Sequence, residues 1–229
     1  MYDNLIADYG DVTIKAPEHF VSDASNYLQK QLDAHKQILL LLSGGSSITQ
    51  AVAVRNKLNV PPGKLIAGLI DERYGPRNHA DSNWQQLYQS GWDNVNLEEL
   101  RVEPKERATL TEAAAIYEKT LKKTIATVDI CVGFFGIGAD GHTAGMLPSS
   151  PAVSSTNYVV GYDAGEFQRI TITPAVMSHF SRAFIYSVSQ SKHAAITNFL
   201  QNGSIEEVPA RALKLAKNVT LYTDYKKGD

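Results

Sequence analysis

Residues 130–135, Ile-Cys-Val-Gly-Phe-Phe, carry no charged side chain and run directly into Gly136-Ile137-Gly138-Ala139-Asp140-Gly141-His142-Thr143. An apolar run this short, without alternation, reads as a strand buried on both faces, and such strands belong to parallel sheets covered by helices. The three glycines in the first six residues of the turn bend the chain tightly where a ligand can approach the backbone. Ile38–Leu42 repeats the pattern and ends in Ser43-Gly44-Gly45-Ser46-Ser47. In open α/β sheets ligands bind outside the carboxyl ends of the strands, so these two turns are the places to look for a site.

The rest of the chain supports that frame. Pro17–Leu32 places Phe20, Ala24, Tyr27, Leu28 and Leu32 at helical spacing. Ile48–Leu58 reads as the helix after the Ser43–Ser47 turn, and Lys64–Ile70 as a strand. Asp81 or Ser82 is expected to cap a helix to about Gln89. Thr109-Leu-Thr-Glu112 has capping-box spacing before a helix at Ala113–Ile125. Tyr158–Gly161, Arg169–Thr173, Ala183–Val188 and Val219–Thr223 read as strands. Thr173-Pro174 is expected to start a short helix, Ser191 to cap a helix through Leu200, and Val208–Leu213 to form another short one. Alternating strands and helices predict a three-layer α/β fold with a mainly parallel sheet and helices on both faces, Rossmann-like, in a single domain over residues 1–229.

Four strand ends carry chemistry. The turn at Ser43, Gly44, Gly45 and Ser46, with a helix starting behind it, is an anion site or an unoccupied flexible turn. It is neither a Walker loop nor a G-x-G-x-x-G fingerprint, so a small phosphorylated ligand suits it better than a nucleotide. Asp71-Glu72-Arg73 is a solvated strand edge, or an arginine for a phosphate with carboxylates that orient it. Asp140 and His142 are a capping aspartate with an incidental histidine, or a general base with its partner. Lys192, unfavourable in a first helical turn, marks an anion nearby or is an ordinary solvated side chain.

Composition narrows the classes. The net charge of −2 across 229 residues gives no reason to expect nucleic acid or an acidic membrane as partner. One cysteine, Cys131, excludes an internal disulfide framework and, mid-strand, is expected to be inert. No apolar run reaches membrane-spanning length, and Met1–Gly10 lacks the regions of a signal peptide, so a cytoplasmic protein is expected. No Ser lies in a nucleophile elbow. Asp140, His142 and His79 are too loosely spaced to predict a metal site. A base and an anion clamp without a covalent nucleophile suggest water attack, or proton transfer, on a small phosphorylated substrate.

Leu41-Leu-Ser-Gly-Gly-Ser46, Asp71-Glu-Arg73 with His79-x-Asp-Ser-Asn83, and Gly136-x-Gly-x-Asp-Gly-His-Thr-Ala144 resemble the 6-phosphogluconolactonases. Arg169-Ile-Thr-x-Thr-Pro174 and Lys192 before Ala194-Ala195 match later segments of that family, so the likeness runs nearly the length of the chain. It implies hydrolysis of 6-phosphoglucono-1,5-lactone to 6-phosphogluconate in the pentose phosphate pathway, with His142 taking a proton from water and Asp140 beside it. It also implies that Gly44, Gly45, Ser46, Arg73 and Lys192 hold the phosphate, with Arg169 a further candidate and Ser43 and Asp71 also among the substrate- and phosphate-binding residues. Neither metal nor cofactor is expected, and the implied assembly is a monomer or weak homodimer.

The related glucosamine-6-phosphate deaminases carry Asp-Gly-His-Ile-Ala-Phe-Asn-Glu-Pro, whose Glu handles protons. Leu147 stands at that position here and cannot. A non-catalytic sugar-phosphate sensor is the third alternative, disfavoured by the presence of both Asp140 and His142. The chain departs from the lactonase pattern at Ser47-Ile48, where Thr-Pro is usual, at Gly145-Met146 and at Ser189.

Overall fold

The computed structural model describes residues 12–226; the leader expectation at Met1–Gly10 lies outside them. Seven parallel strands form the main sheet: β1 (Val12–Lys15), β2 (Ile38–Leu42), β3 (Leu65–Leu69), β5 (Leu97–Leu100), β6 (Ile130–Phe135), β9 (Phe180–Tyr186) and β10 (Val219–Tyr222), in spatial order β1-β10-β9-β6-β2-β3-β5. A second sheet of three antiparallel strands holds β4 (Asp71–Arg73), β8 (Gln168–Ile172) and β7 (Val159–Asp163). The helices are α1 (Phe20–Asp33), α2 (Ile48–Arg55), α3 (Asn83–Gln89), α4 (Leu110–Thr127) and α5 (His193–Leu200).

The double-sided burial expected of Ile38–Leu42 and Ile130–Phe135 is what forms: all their residues are buried, and they pair in parallel register from Ile38↔Ile130 to Leu42↔Phe134. Alternate residues face opposite cores. Ile38, Leu40, Leu42, Val132 and Phe134 pack with Phe20, Leu28 and Trp84 of the α1–α3 layer. Leu39, Leu41, Cys131 and Phe135 pack with Tyr117 and Leu121 of α4, Phe199 of α5 and Ile170 of β8. These are three layers, as predicted.

Three local expectations need correction. Arg169–Thr173 and Tyr158–Gly161 do form strands, but in the antiparallel second sheet, because β4 follows β3 immediately and offers them an edge. Ser189, not Ser191, caps the segment leading to α5: its hydroxyl accepts the Ser191 N–H, and a 3-10 turn at Gln190–Lys192 precedes the helix. The segment expected at Val208–Leu213 is a 3-10 helix at Pro209–Leu215. β1 and β5 went unread because both are edge strands of four residues, β1 buried on alternate positions and β5 with Leu100 alone fully buried, so neither carries an apolar run. The capping box formed as predicted, with Thr109 accepting the Glu112 N–H and the Glu112 carboxylate accepting the Thr109 N–H.

Sheet order decides where the site sits. From β2 the chain moves outward to β3 on one side, and from β6 it proceeds outward to β9 on the other. The crevice between β2 and β6 is therefore the switch point at which such sheets bind ligands.

Candidate active site

Both glycine turns leave the sheet at this switch point, and the Ser43 N–H donates to Phe134 O at 3.1 Å, stitching the end of β2 to β6. After β2, Gly45 takes φ +65°, a left-handed conformation that favours glycine. The Ser47 hydroxyl donates to Gly44 O at 2.9 Å, and a 3-10 turn at Gly45–Ser47 leads into α2. Gly45 and Ser46 are exposed while Ser43 and Gly44 are partly buried. A helix beginning in this way presents its first N–H groups outward.

After β6 the turn closes on itself, with Gly138 N–H donating to His142 O and Gly141 N–H to Gly138 O. Asp140 Oδ1 accepts the His142 backbone N–H at 3.1 Å and lies 2.5 Å from the imidazole Nδ1. A carboxylate only accepts, so Nδ1 carries the proton in this contact and Nε2 is left with its lone pair. Burial pushes the Asp140 carboxyl up, but the His142 N–H and imidazole outweigh it and hold the group below its ordinary value. His142 is about a third exposed, open to water. Gly138 is required beneath the ring: a Cβ there would lie 2.2 Å from His142 Nδ1 and Cε1.

The third arm is β4. Tyr117, buried in α4, donates to Leu69 O at 2.7 Å and accepts the Leu69 N–H at 3.0 Å, capping β3 just before Asp71. Asp71 is buried and pairs with Arg169 of β8, Oδ2 to Nη1, at 3.3 Å. Burial raises its carboxyl above the ordinary range, against the opposing charges of Arg169, Arg73 and His142. Asp71 therefore orients Arg169 and not Arg73. Arg73 donates to Asp81 O at 3.1 Å and lies 4.9 Å above the Phe167 ring, which Arg169 also faces at 5.8 Å. Glu72 points to the other side of the strand. Its carboxylate accepts from Ser82 Oγ and from the N–H groups of Arg73, Asn83 and Trp84, which ties β4 to the first turn of α3. Ser82 is the N-cap of that helix, its hydroxyl accepting the Gln85 N–H at 3.2 Å.

Asp71, Arg73 and Arg169 are thus brought together with His142. Asn83 ties this group to the first turn: its Nδ2 donates to Asp71 O at 2.9 Å, and its carboxamide packs so closely on Gly44 that a Cβ there would meet Oδ1 at 2.1 Å. Ser187, beyond β9, donates to Ile137 O. Lys192 follows on the same sheet edge, partly buried, with desolvation lowering its pKa against the pull of Asp224. No direct hydrogen bond joins it to the His142 group. Among the described residues no three His, Cys, Asp or Glu side chains are placed to hold a metal ion. No described helix is long and apolar enough to cross a membrane.

The sequence reading passed over Asn83 as a site residue and missed Phe167. Asn83 stands in the His79-x-Asp-Ser-Asn83 segment, so a signal was present. Phe167 lies in a hairpin turn and becomes relevant only when β8 pairs with β4.

The chain has relatives among known proteins. The family model described as glucosamine-6-phosphate isomerases/6-phosphogluconolactonase matches residues 15–222. A 6-phosphogluconolactonase of Borreliella burgdorferi is 28% identical, the alignment covering 93% of this chain and 97% of that protein. One from Pseudomonas aeruginosa is 27% identical over 83% of each. The crystal structure of a 6-phosphogluconolactonase from Shewanella baltica superposes with a TM-score of 0.75 at 18% identity, over 93% of this chain and 95% of that one.

Proposed function

The chain belongs to the glucosamine-6-phosphate isomerase/6-phosphogluconolactonase family, and from that premise we propose that it hydrolyses 6-phospho-D-glucono-1,5-lactone to 6-phosphogluconate, a carbohydrate-pathway ester hydrolase. The observation that carries this reading is the 2.5 Å Asp140–His142 contact at the switch point, beside the paired Asp71–Arg169.

With Nδ1 engaged by Asp140, Nε2 of His142 takes a proton from water as the oxygen attacks the lactone carbonyl. The tetrahedral intermediate then collapses. Its C1–ring oxygen bond breaks, and the proton held by His142 passes to the leaving ring oxygen, giving a carboxylic acid that ionises and a free hydroxyl. Asp140 keeps its charge throughout and stabilises the imidazolium. Ser43, Gly44, Gly45 and Ser46, with Arg73 and Lys192, form the clamp for the 6-phosphate, and Arg169, held by Asp71, faces the substrate from β8. The phosphate handle supplies positioning energy to a lactone that is already activated.

Leu147 separates this reading from the family's deaminase branch, since it has no proton to give. The test is to assay lactone hydrolysis and ammonia release from glucosamine 6-phosphate side by side. Fast hydrolysis without ammonia is expected, and ammonia release at a comparable rate overturns the assignment.

A further inference from the structure

On the Glu72 side of β4, away from the Asp140–His142 turn, lies a cleft of about 240 Å³ between the 74–80 loop and the segment 101–107. Its lining includes four arginines, Arg73, Arg77, Arg101 and Arg107, against two carboxylates, Glu72 and Glu103. Of the residues assigned to the lactone site Arg73 lines it, and none of Ser43–Ser47, Asp71, Asp140, His142, Arg169 or Lys192 does. On a chain whose net charge is −2, this is a local concentration of positive charge, opposite in sign to the average.

The carboxylates do not neutralise it. Glu72 is consumed by its four donors at the start of α3. Glu103 reaches Arg107 only at 3.7 Å in an exposed pair, an arrangement that contributes little. Glu106 faces the backbone N–H of Arg77 and not its guanidinium. Among the described residues the Arg77 guanidinium has no ion-pair or hydrogen-bond partner. Arg101 is fixed: it pairs with Glu99 at 2.8 Å and lies over the rings of Trp84 and Tyr88.

The cleft is also held open by its own walls. Lys105 N–H donates to Gly75 O at 3.1 Å, and His79 Nε2 contacts Arg73 O at 2.8 Å. Gly75 permits this packing, since a Cβ there would meet the His79 ring at 2.9 Å. A preformed concavity with several guanidinium groups around it matches the tetrahedral oxygens of a phosphoryl group.

We propose that this cleft is a second anion site, separate from the lactone site, that binds the phosphoryl group of a small phosphorylated molecule. Arg77 and Arg107 are its principal contacts, and Arg101, held by Glu99, forms a rigid part of its wall. The cleft shares β4 and Arg73 with the proposed lactone site, but its principal contacts, Arg77 and Arg107, have no part in that reaction.

The test is nitrogen-resolved NMR of the full chain, titrated with glycerol 3-phosphate and, separately, inorganic phosphate. The Arg77 and Arg107 amides and the Trp84 indole signal are expected to shift and saturate, with the Trp92 indole as the unmoved reference. Arg77→Ala with Arg107→Ala is expected to weaken that response about tenfold or more, while the Gly44–Ser46 amides still respond and lactone turnover is unchanged. Tighter binding of glycerol 3-phosphate assigns the site to a phosphate monoester, and equal binding assigns it to free phosphate. Shifts confined to Gly44–Ser46, or cleft shifts unaltered in the double variant, overturn the proposal.

Discussion

The Asp140–His142 turn and the β4–α3 corner hold equally polar residues a short way apart, yet they use them in opposite ways. In the corner, Asp71 pairs with Arg169, Glu72 receives four donors, and Asn83 closes onto Gly44. The carboxylates there are spent on neighbours, because a buried and unpaired charge is costly, although Asn83 Oδ1 and the Nε atoms of Arg73 and Arg169 are buried without a hydrogen-bond partner. In the turn, Asp140 engages only one face of His142, and the other nitrogen is left for solvent. The carboxyl groups record the contrast: burial raises Asp71 and Glu72, whereas the half-exposed Asp140 is held low by its histidine. Buried, paired carboxylates build the frame, and the exposed Asp140–His142 pair keeps one ring nitrogen available for chemistry.

That contrast breaks most visibly at His142. His142→Ala is expected to lower kcat by about 10²–10⁴ while leaving Tm unchanged, measured by lactone turnover beside a melting curve. A drop in Tm with turnover retained would place the histidine in the frame instead. Gly138→Ala comes next. Its Cβ would push the ring off position, and a displacement of that order costs about 10² in rate, again without loss of stability. In the corner the sign reverses. Glu72→Ala strands the Ser82, Asn83 and Trp84 donors and is expected to cost about 1–3 kcal/mol of stability, several degrees in Tm, with turnover per folded molecule far less affected than in His142→Ala.

The smallest effect tests Lys192. Desolvation lowers its pKa, so its charge is present below that value and is lost as pH rises through it, beginning below the ordinary 10.5. Affinity for 6-phosphogluconate is therefore expected to fall on the order of tenfold across the alkaline range, by calorimetry, and Lys192→Arg is expected to flatten the fall. A pH-independent affinity removes Lys192 from the clamp.

Residue order alone announced the two central strands, both glycine turns and the capping box, because each signal is local. Five consecutive aliphatics can only be buried on both faces, and the Thr109–Glu112 spacing closes within one helical turn. Edge strands β1 and β5 escaped because they are four residues long and their incomplete burial leaves polar residues that read as loop. Asp71-Glu72-Arg73 was visible as a charged triplet, but its division of labour was not. Which carboxylate meets which arginine depends on β8 arriving from a hundred residues away to set Arg73↔Arg169 and Asp71↔Thr171 in register.

The sequence by itself determined the central strands, their covering helices and a histidine in a glycine turn, since these follow from periodicity, capping and backbone permissiveness. Only the tertiary structure decided that Asp71 holds Arg169, that Glu72 binds the first turn of α3, that Asn83 leans on Gly44, and that Arg77 and Arg107 border a second cleft. Those pairings are contacts between segments distant along the chain, and their geometry exists only once the sheet order is set.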